Sequence, residues 1–370
     1  MNTQTSFTPE QNTSNIPAET TLATPQVNWS HVGWFLGLAF GLTWLVDLAL
    51  YLSGGLANPN NKLLLQFQML LPSFSAMLLG VFFFKDSPIF YRNNSGASRW
   101  FVYFYFLLTG LYLTGAIVSL MQPDLGTTLA SLLLIPNILG LILLVILRWK
   151  GGRNTFVEAG MAGGKARIWF GYGLGLVVFF AFQTWLNYVF KLGTVVDLKT
   201  AFPQAEAANL PSMVLLLSAA LNFMIIGPFL GLIISFGEEY GWRGFLQTEL
   251  IKLGRIRGVF LLGIIWGVWH WPVIWMGYNY PGQPLIGSLF MVAYCVILAY
   301  FLAYAVFKSK GIWTAAYLHA LNNQTLSFFM MAVVAPTSTL YSFGVGLPAL
   351  LLGALVVLLL LRDPIWKATE

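Results

Sequence analysis

Long uninterrupted apolar runs are the feature that most constrains how this chain can fold. Several of them reach the roughly 20 residues that a helix needs to cross a bilayer. The 370 residues are 58% hydrophobic and only 9% charged, with a mean hydropathy of +0.74. Soluble globular domains carry about a quarter charged residues. We therefore predict an all-α polytopic integral membrane protein and exclude a soluble fold.

A polar tail at residues 1–30 precedes ten apolar segments. The tail is rich in Thr, Gln, Asn and Pro and lacks Lys and Arg, so it cannot bury a core and is predicted to be disordered. Residues 31–365 are predicted to form a single transmembrane helical domain of about ten helices. The apolar segments lie near 31–53, 63–84, 101–121, 125–147, 168–190, 212–235, 259–277, 285–307, 312–334 and 342–361.

If all ten segments cross the membrane, the basic residues fall mainly on one side of it. Sixteen of the 19 Lys and Arg residues lie in the connections assigned to that side, and the positive-inside rule makes it the cytoplasmic side. Both termini are then cytoplasmic, and the short connections favour a multi-pass protein of a bacterial plasma membrane. The three exceptions are Lys62, Lys191 and Lys199.

The sixth segment is too long for a simple span. The pattern stays compatible with a helix over 211–250, which is about 60 Å at 1.5 Å per residue and about twice the hydrocarbon thickness. The helix must therefore break, tilt strongly or lie partly in the interface. Pro228 with Gly231, or Ser235 with Gly237, are the expected break points.

Polar and ionisable side chains inside membrane segments are costly, so they are candidates for function. Here they cluster in three stretches, GEEYGWRG at 237–244, WGVWH at 266–270 and HALNN at 319–323, while Asp47 lies alone in the first segment. The candidate site residues in these stretches are Glu238, Glu239, Arg243, His270, His319 and Asn323.

Helical phase assigns positions within each stretch. Glu239 and Arg243 are four residues apart, so they share a face and can form an ion pair. Glu238 points about 100° away and is free to face a cavity, and His319 shares a face with Asn323. Counting from the segment ends places the three stretches about 12 to 21 Å inside the membrane. We therefore expect them to meet in one cavity that is reached from the cytoplasm.

Two carboxylates, two imidazoles and an amide suit the hydrolysis of an amide bond. A carboxylate beside a histidine can deprotonate a water molecule, and a second histidine with an asparagine amide can stabilise an oxyanion. The same side chains can instead hold zinc. The chain contains no HExxH motif and no cysteine close in sequence to the three stretches, so spacing alone does not favour a metal.

The three stretches resemble those of a known family. EEYGWRG matches an EExxxR motif, WGVWH an FxxxH motif with Trp266 in place of Phe, and HALNN an HxxxN motif. In this order on successive membrane segments, they are similar to the CPBP family of intramembrane proteases, which includes the type II CAAX prenyl endopeptidase and bacterial Abi-type relatives. The resemblance covers about 210–325, the expected catalytic core, and it implies a core of about eight helices.

The resemblance also implies a role for each residue. Glu238 is expected to be the general base that activates water, and His270 to help bind that water. Glu239 and Arg243 are expected to orient the site.

His319 and Asn323 are expected to stabilise the oxyanion. Metal use within the family is unsettled, so a divalent ion such as zinc stays open; its ligands are then expected to be Glu238, His270 and His319. Trp266 is expected to form a wall of the cavity and to affect specificity more than activity.

The leading hypothesis is an intramembrane endopeptidase that cleaves peptides or membrane-protein segments near the cytoplasmic face of the lipid bilayer. One alternative is a proteolytically inactive membrane protein that binds a partner or confers immunity. A proton- or ion-coupled transporter is a second alternative, although the first half of the chain holds no second copy of the glutamate motif. Nucleic-acid binding needs a basic patch on a soluble element, which we do not predict, and the sequence names no substrate.

Overall fold

We describe residues 26–94, 96–202 and 210–368 of the chain in a computed structural model. Most of the predicted disordered tail, 1–25, lies outside these residues. The first helix begins at Trp29, two residues before the predicted start of the first segment. Asn28 caps it, since the Asn28 side chain accepts a hydrogen bond from the backbone N–H of His31.

The first half of the chain forms helices joined by short turns. They are α1 (Trp29–Leu52), α2 (Lys62–Phe82), α3 (Ala97–Met121), α4 (Gly126–Leu132), α5 (Leu134–Leu147), α6 (Arg153–Glu158) and α7 (Ala166–Val189). A short strand, β1 (Gly193–Val195), and a single helical turn, α8 (Leu198–Ala201), follow.

The second half contains the three motif stretches. Its helices are α9 (Ser212–Leu221), α10 (Gly227–Leu230), α11 (Leu232–Glu239), α12 (Gln247–Leu250), α13 (Arg255–Trp269), α14 (Trp271–Trp275), α15 (Pro284–Ser309), α16 (Ile312–Ala332) and α17 (Leu347–Leu360). Strand β2 (Val334–Pro336) pairs antiparallel with β1, with Gly193 opposite Pro336.

The structure confirms an all-α polytopic membrane protein. Within the described residues, seven helices are long and apolar enough to cross a membrane. The other three predicted segments are also helical, as α13, α16 and α17, but they are shorter or more polar. In α16 the polarity has a structural reason, because every residue over 312–322 is buried against other helices rather than facing lipid.

The connections between helices gather on two opposite faces. One, which we call the basic face, is held together by contacts among the connections at 83–96, 148–165, 251–254, 309–311 and 361–367. Gly163 pairs with Gly311, and Ser98 N–H donates to the Thr155 hydroxyl. The guanidinium of Arg255 donates to the Ile365 carbonyl at 2.7 Å.

The second face, which we call the opposite face, collects the connections at 53–61, 122–125, 190–197, 276–283 and 333–346. The β1–β2 pair and a hydrogen bond from the Tyr280 hydroxyl to the Val345 carbonyl, 2.9 Å long, link three of them. The predicted alternation of connections is therefore confirmed, with Lys62, Lys191 and Lys199 toward the opposite face.

The predicted break in the sixth segment is real and lies at one of the two expected places. α10 ends and α11 begins around Gly231. Ser235 and Gly237 lie within the uninterrupted α11, so the second break point was wrong. Two π-helical stretches, Asn222–Ile226 and Tyr240–Leu246, deform the segment further. Such widened turns are frequent at functional sites.

Glycines bring α11 into close contact with α2. A Cβ atom on Gly237 would lie 2.5 Å from the Met69 carbonyl oxygen, and one on Gly241 would lie 2.6 Å from the Pro72 carbonyl carbon. The hydroxyl of Ser73 bridges the same contact, because it donates to the Phe236 carbonyl at 2.7 Å and accepts from Gly241 N–H at 3.1 Å. The glutamate motif is therefore fixed against α2 at the level of Met69 and Leu70.

Candidate active site

Three helical segments bring the predicted site residues together at one cavity, with Asn323 at its exposed side. Glu238 and Glu239 end α11, Arg243 lies in the π-helical turn that follows, and His270 lies at the carboxyl end of α13. His319 and Asn323 lie on α16. The expected meeting of the three stretches is thus confirmed as a matter of geometry.

Glu239 is the centre of the buried network. Its Oε1 atom accepts from Arg243 Nη1 at 2.9 Å and from His319 Nδ1 at 2.8 Å. The predicted Glu239–Arg243 ion pair is confirmed, and Arg243 is only 2% exposed. Because one carboxylate oxygen links two helices, the network fixes α16 against the glutamate motif.

Glu238 faces the cavity, as helical phase predicts. It is 2% exposed, and its Oε2 atom accepts a hydrogen bond of 2.8 Å from the indole nitrogen of Trp266. Trp266 lines the cavity, as expected, and this hydrogen bond adds a polar contact to that role. The Trp266 ring also packs edge-on against His319, at 5.5 Å between centroids, and beneath the Arg243 guanidinium at 4.0 Å.

His270 is oriented by its own helix. Its Nδ1 atom lies 2.8 Å from the Trp266 carbonyl oxygen. A carbonyl oxygen only accepts hydrogen bonds, so Nδ1 carries the proton and Nε2 is left as an acceptor. The Cys295 sulfur lies 3.8 Å from the same Nδ1 atom, and the Trp269 ring packs edge-on at 4.7 Å. His270 is therefore oriented with Nδ1 donating to its own helix and with Nε2 left to bind water.

Asn323 is oriented by its neighbour. Asn322 Nδ2 donates to Asn323 Oδ1 at 3.1 Å and to the Tyr294 hydroxyl at 2.9 Å. With Oδ1 engaged, the amide of Asn323 offers its Nδ2 donor to a ligand. His319 and Asn323 line the same cavity, in agreement with the face they were predicted to share. Asn322 therefore positions Asn323.

The cavity in front of these side chains measures about 260 Å³. Its polar lining includes side chains that belong to none of the three motifs and that were not among the predicted site residues. Tyr294 and Cys295 lie within an apolar run of α15, and Gln66 and Gln68 lie within one of α2. Their positions follow from helix packing alone, so no local signal could have found them. These missed lining residues are Lys62, Gln66, Gln68, Tyr278, Asn279, Tyr294 and Cys295.

The cavity extends toward the opposite face of the bundle. Lys62 begins α2, and Tyr278 and Asn279 belong to the connection that joins α14 to α15. All three lie toward the opposite face, whereas most basic residues lie on the other one. Depth along each helix does not determine from which end a shared cavity is lined, and access from the cytoplasm stays a prediction.

The predicted metal ligands are Glu238, His270 and His319. Across the described parts of the chain, no group of three or more His, Cys, Asp and Glu side chains is placed to hold a metal ion. His319 Nδ1 is engaged by Glu239 and His270 Nδ1 by the Trp266 carbonyl. These contacts leave Nε2 of both histidines free, so a divalent ion at Glu238, His270 and His319 stays a prediction, and the mechanism proposed for this site uses side chains and water.

Fold and site together define an all-α membrane protein with a carboxylate- and histidine-lined cavity inside its bundle. Residues 220–325 match the model of the Rce1-like family, described as type II CAAX prenyl endopeptidase Rce1-like. The match spans the three motifs, covers less than a third of the chain and confirms the resemblance to this family of membrane proteases. No curated protein and no solved structure matches the chain.

Proposed function

We propose that the protein is an intramembrane endopeptidase that hydrolyses peptide bonds of membrane-embedded or peptide substrates. One observation carries the proposal. The Glu238 carboxylate lies 2% exposed at the wall of a polar cavity, with His270 beside it and the Glu239–Arg243–His319 network behind it. A carboxylate held in this way inside a membrane bundle is expensive, and activation of water gives it a function.

The cavity supports a general-base mechanism. Glu238 and Nε2 of His270 accept hydrogen bonds from one water molecule, whose oxygen attacks the carbonyl carbon of the scissile bond. Glu238 takes the proton from the water and passes it to the departing amine, so the carboxylate is regenerated.

The opposite wall stabilises the charge that develops on the carbonyl oxygen. Asn323 Nδ2 and the Nε2 atom of a protonated His319 are the donors for this oxyanion. With His319 protonated, the charges of Glu238, Glu239, Arg243 and His319 sum to zero, so the buried cluster is neutral. Glu239 and Arg243 hold the geometry and take no part in proton transfer.

The test compares peptide termini in the membrane and secreted fractions of cells that express wild type or Glu238→Gln at matched levels. We expect new termini with wild type, and a loss of at least about a hundredfold in their abundance with the variant, as for removal of a general base. Glu158→Gln, which changes an exposed glutamate at the end of α6, serves as the control and should cleave normally.

Equal termini with wild type and Glu238→Gln, at equal membrane insertion, would contradict the proposal. The inactive partner-binding protein would then be the better explanation if the variant still confers the cellular effect of wild type. Ion flux in liposomes that stops with His270→Ala would instead favour transport. The bacterial plasma membrane is our proposed location, on the basis of the short connections and the basic face.

A further inference from the structure

A second pocket lies on the basic face, behind the network around Glu239. It measures about 400 Å³ and lies where the connection between α12 and α13 meets the end of α15. Arg243 lines this pocket and does not line the cavity that holds Glu238. Arg243 therefore connects the network around Glu239 with the basic face. The polar residues of the lining are Arg243, Gln247, Thr248, Arg255 and Lys310.

The guanidinium of Arg243 has donors that the network does not use. Nη1 donates to Glu239 at 2.9 Å, whereas Nε and Nη2 have no hydrogen-bond partner among the described residues, although Arg243 is 2% exposed. Nε and Nη2 share one edge of the planar guanidinium and form a fork that matches two oxygens of an anion. Buried donors of a charged group are costly to leave unpaired. The fork therefore indicates a ligand with two anionic oxygens.

The rest of the lining suits such an anion. Within the described residues, no Asp or Glu lines the pocket. Arg255 adds a cation that packs over the Phe307 ring at 4.6 Å. Lys310 is exposed and takes part in no ion pair among the described residues. An anion that enters from the basic face therefore meets positive charge along the whole pocket.

Gln247 narrows the choice of anion. It is 2% exposed, and its Oε1 atom has no hydrogen-bond partner in the described part of the chain. An amide oxygen only accepts hydrogen bonds, so it needs a donor on the ligand. Inorganic phosphate keeps a hydroxyl at neutral pH, whereas sulfate and carboxylates carry none. The pocket therefore fits an oxyanion that also has a hydroxyl group.

We propose that this pocket is a binding site for a phosphate group. Two phosphate oxygens accept from Nε and Nη2 of Arg243, Lys310 adds charge, and Gln247 Oε1 accepts from a hydroxyl of the ligand. Free inorganic phosphate and the headgroup of phosphatidylglycerol share this chemistry, and a basic face attracts anionic headgroups. Because the ligand and Glu239 bind the same guanidinium, binding stabilises the network around Glu239.

The experiment measures thermal unfolding of the purified full-length protein. In neutral detergent, sodium phosphate, sodium sulfate and sodium chloride are titrated at equal ionic strength. In a second arm, the protein is reconstituted, without phosphate in the buffer, in vesicles of phosphatidylcholine alone or of phosphatidylcholine with phosphatidylglycerol. Wild type is compared with Lys310→Gln, Gln247→Leu and the control Lys165→Gln. Lys165 is exposed on the basic face and does not line the pocket.

We expect phosphate to raise the melting temperature of wild type with saturation, as for a ligand that binds only the folded state, and to do so more than sulfate or chloride. Lys310→Gln should raise the Kd for phosphate about three- to fivefold, as for the loss of an exposed ion pair. Gln247→Leu should remove the preference for phosphate over sulfate. Lys165→Gln should match wild type.

The two arms identify the source of the phosphate group. Stabilisation by phosphatidylglycerol that Lys310→Gln weakens assigns the site to a lipid headgroup. Stabilisation by inorganic phosphate alone assigns it to the free anion.

Equal melting temperatures in all three salts and in both kinds of vesicle would overturn the proposal. An equal effect of phosphate on Lys310→Gln and Lys165→Gln would also overturn it, because the effect would then come from screening of the whole basic face. The melting curve of each variant in chloride shows whether it is folded, and Lys310→Gln decides if Gln247→Leu is not. The readout is stability, so failure of the proposed peptidase function leaves this test unchanged.

Discussion

Trp266 stands where the related motif carries phenylalanine, and its indole contributes more than an apolar wall. The ring lies 4.0 Å beneath the Arg243 guanidinium, where a cation is attracted to the face of the ring. Its N–H donates to Glu238 at 2.8 Å. One side chain therefore contacts both the proposed base and the arginine that orients its neighbour Glu239, so we interpret Trp266 as a positioning residue.

Trp266→Phe separates these two contributions. The substitution keeps an aromatic ring under Arg243 but removes the donor to Glu238. A hydrogen bond to a charged group is worth about 1.5 kcal/mol or more, so we expect kcat to fall about tenfold while KM stays within twofold. The measurement is steady-state cleavage of a quenched fluorescent peptide by protein reconstituted in liposomes.

Trp271→Phe is the matched control, because Trp271 follows directly after His270 and does not line the cavity. Its cleavage rate should equal that of wild type. An unchanged kcat in Trp266→Phe would mean that the contact with Glu238 is not used in the reaction.

For individual residues, the sequence was informative where those residues belong to motifs. The six candidate residues were found from three short stretches, since ionisable groups are rare in apolar segments. The partner of each residue was less predictable. Helical phase gave the Glu239–Arg243 pair, but the contacts of Glu239 with His319 and of Glu238 with Trp266 join different helices. Such contacts depend on how helices pack, which spacing along one helix does not determine.

The contact between α2 and the glutamate motif determines where the base is held. Gly237 and Gly241 allow the two backbones to approach so closely that a side chain on either would collide with α2. Ser73 then satisfies Gly241 N–H within the π-helical turn, where the regular pattern of helical hydrogen bonds is interrupted. The turn and the small residues act together, and both are needed to seat Glu238 at the cavity.

Gly241→Ala should displace the motif from α2. Overpacking of a well-filled interior costs about 1–3 kcal/mol, so we expect a lower melting temperature in detergent and a loss of most of the activity. Both quantities are measured on the same purified preparation. Gly171→Ala is the control, since a Cβ atom there meets no neighbouring atom within 4 Å.

An active and equally stable Gly241→Ala variant would show that α2 does not fix the motif.

The sequence predicted that the sixth segment breaks, because the length of this segment exceeds the thickness of the membrane. It did not predict the π-helical stretches or the role of Ser73, because a widened turn has no simple residue pattern and its stabilising partner is on another helix.

The two faces of the molecule differ in their charge and in whether the cavity is lined toward them. Basic residues concentrate on one face, while the cavity is lined toward the other. If the basic face is cytoplasmic, as the positive-inside rule predicts, the cavity is lined toward the non-cytoplasmic side. The sequence predicted the charge asymmetry correctly from counts alone. It could not predict toward which face the cavity is lined, because this depends on how α2, α15 and α16 pack together.

Cysteine labelling tests this orientation. Cys295 is the only cysteine of the chain, so Cys295→Ala gives a background in which one introduced cysteine is labelled at a time. In intact cells, a membrane-impermeant maleimide should label Lys199→Cys on the opposite face and leave Lys165→Cys on the basic face unlabelled. In permeabilised cells, the maleimide should label both introduced cysteines. The reverse pattern in intact cells would place the basic face outside and the cavity toward the cytoplasm.

The wall that α2 contributes to the cavity lies far outside the stretch 220–325 that matches the protease family. The proposed catalytic residues and this wall are therefore encoded in different parts of the gene. Under the proposed function, mutations in α2 can alter which peptides are accepted without changing the proposed catalytic residues, so duplicated copies can diverge toward new substrates while keeping the same reaction. Similarity over the matched stretch alone therefore indicates a similar reaction but says little about which substrates are shared.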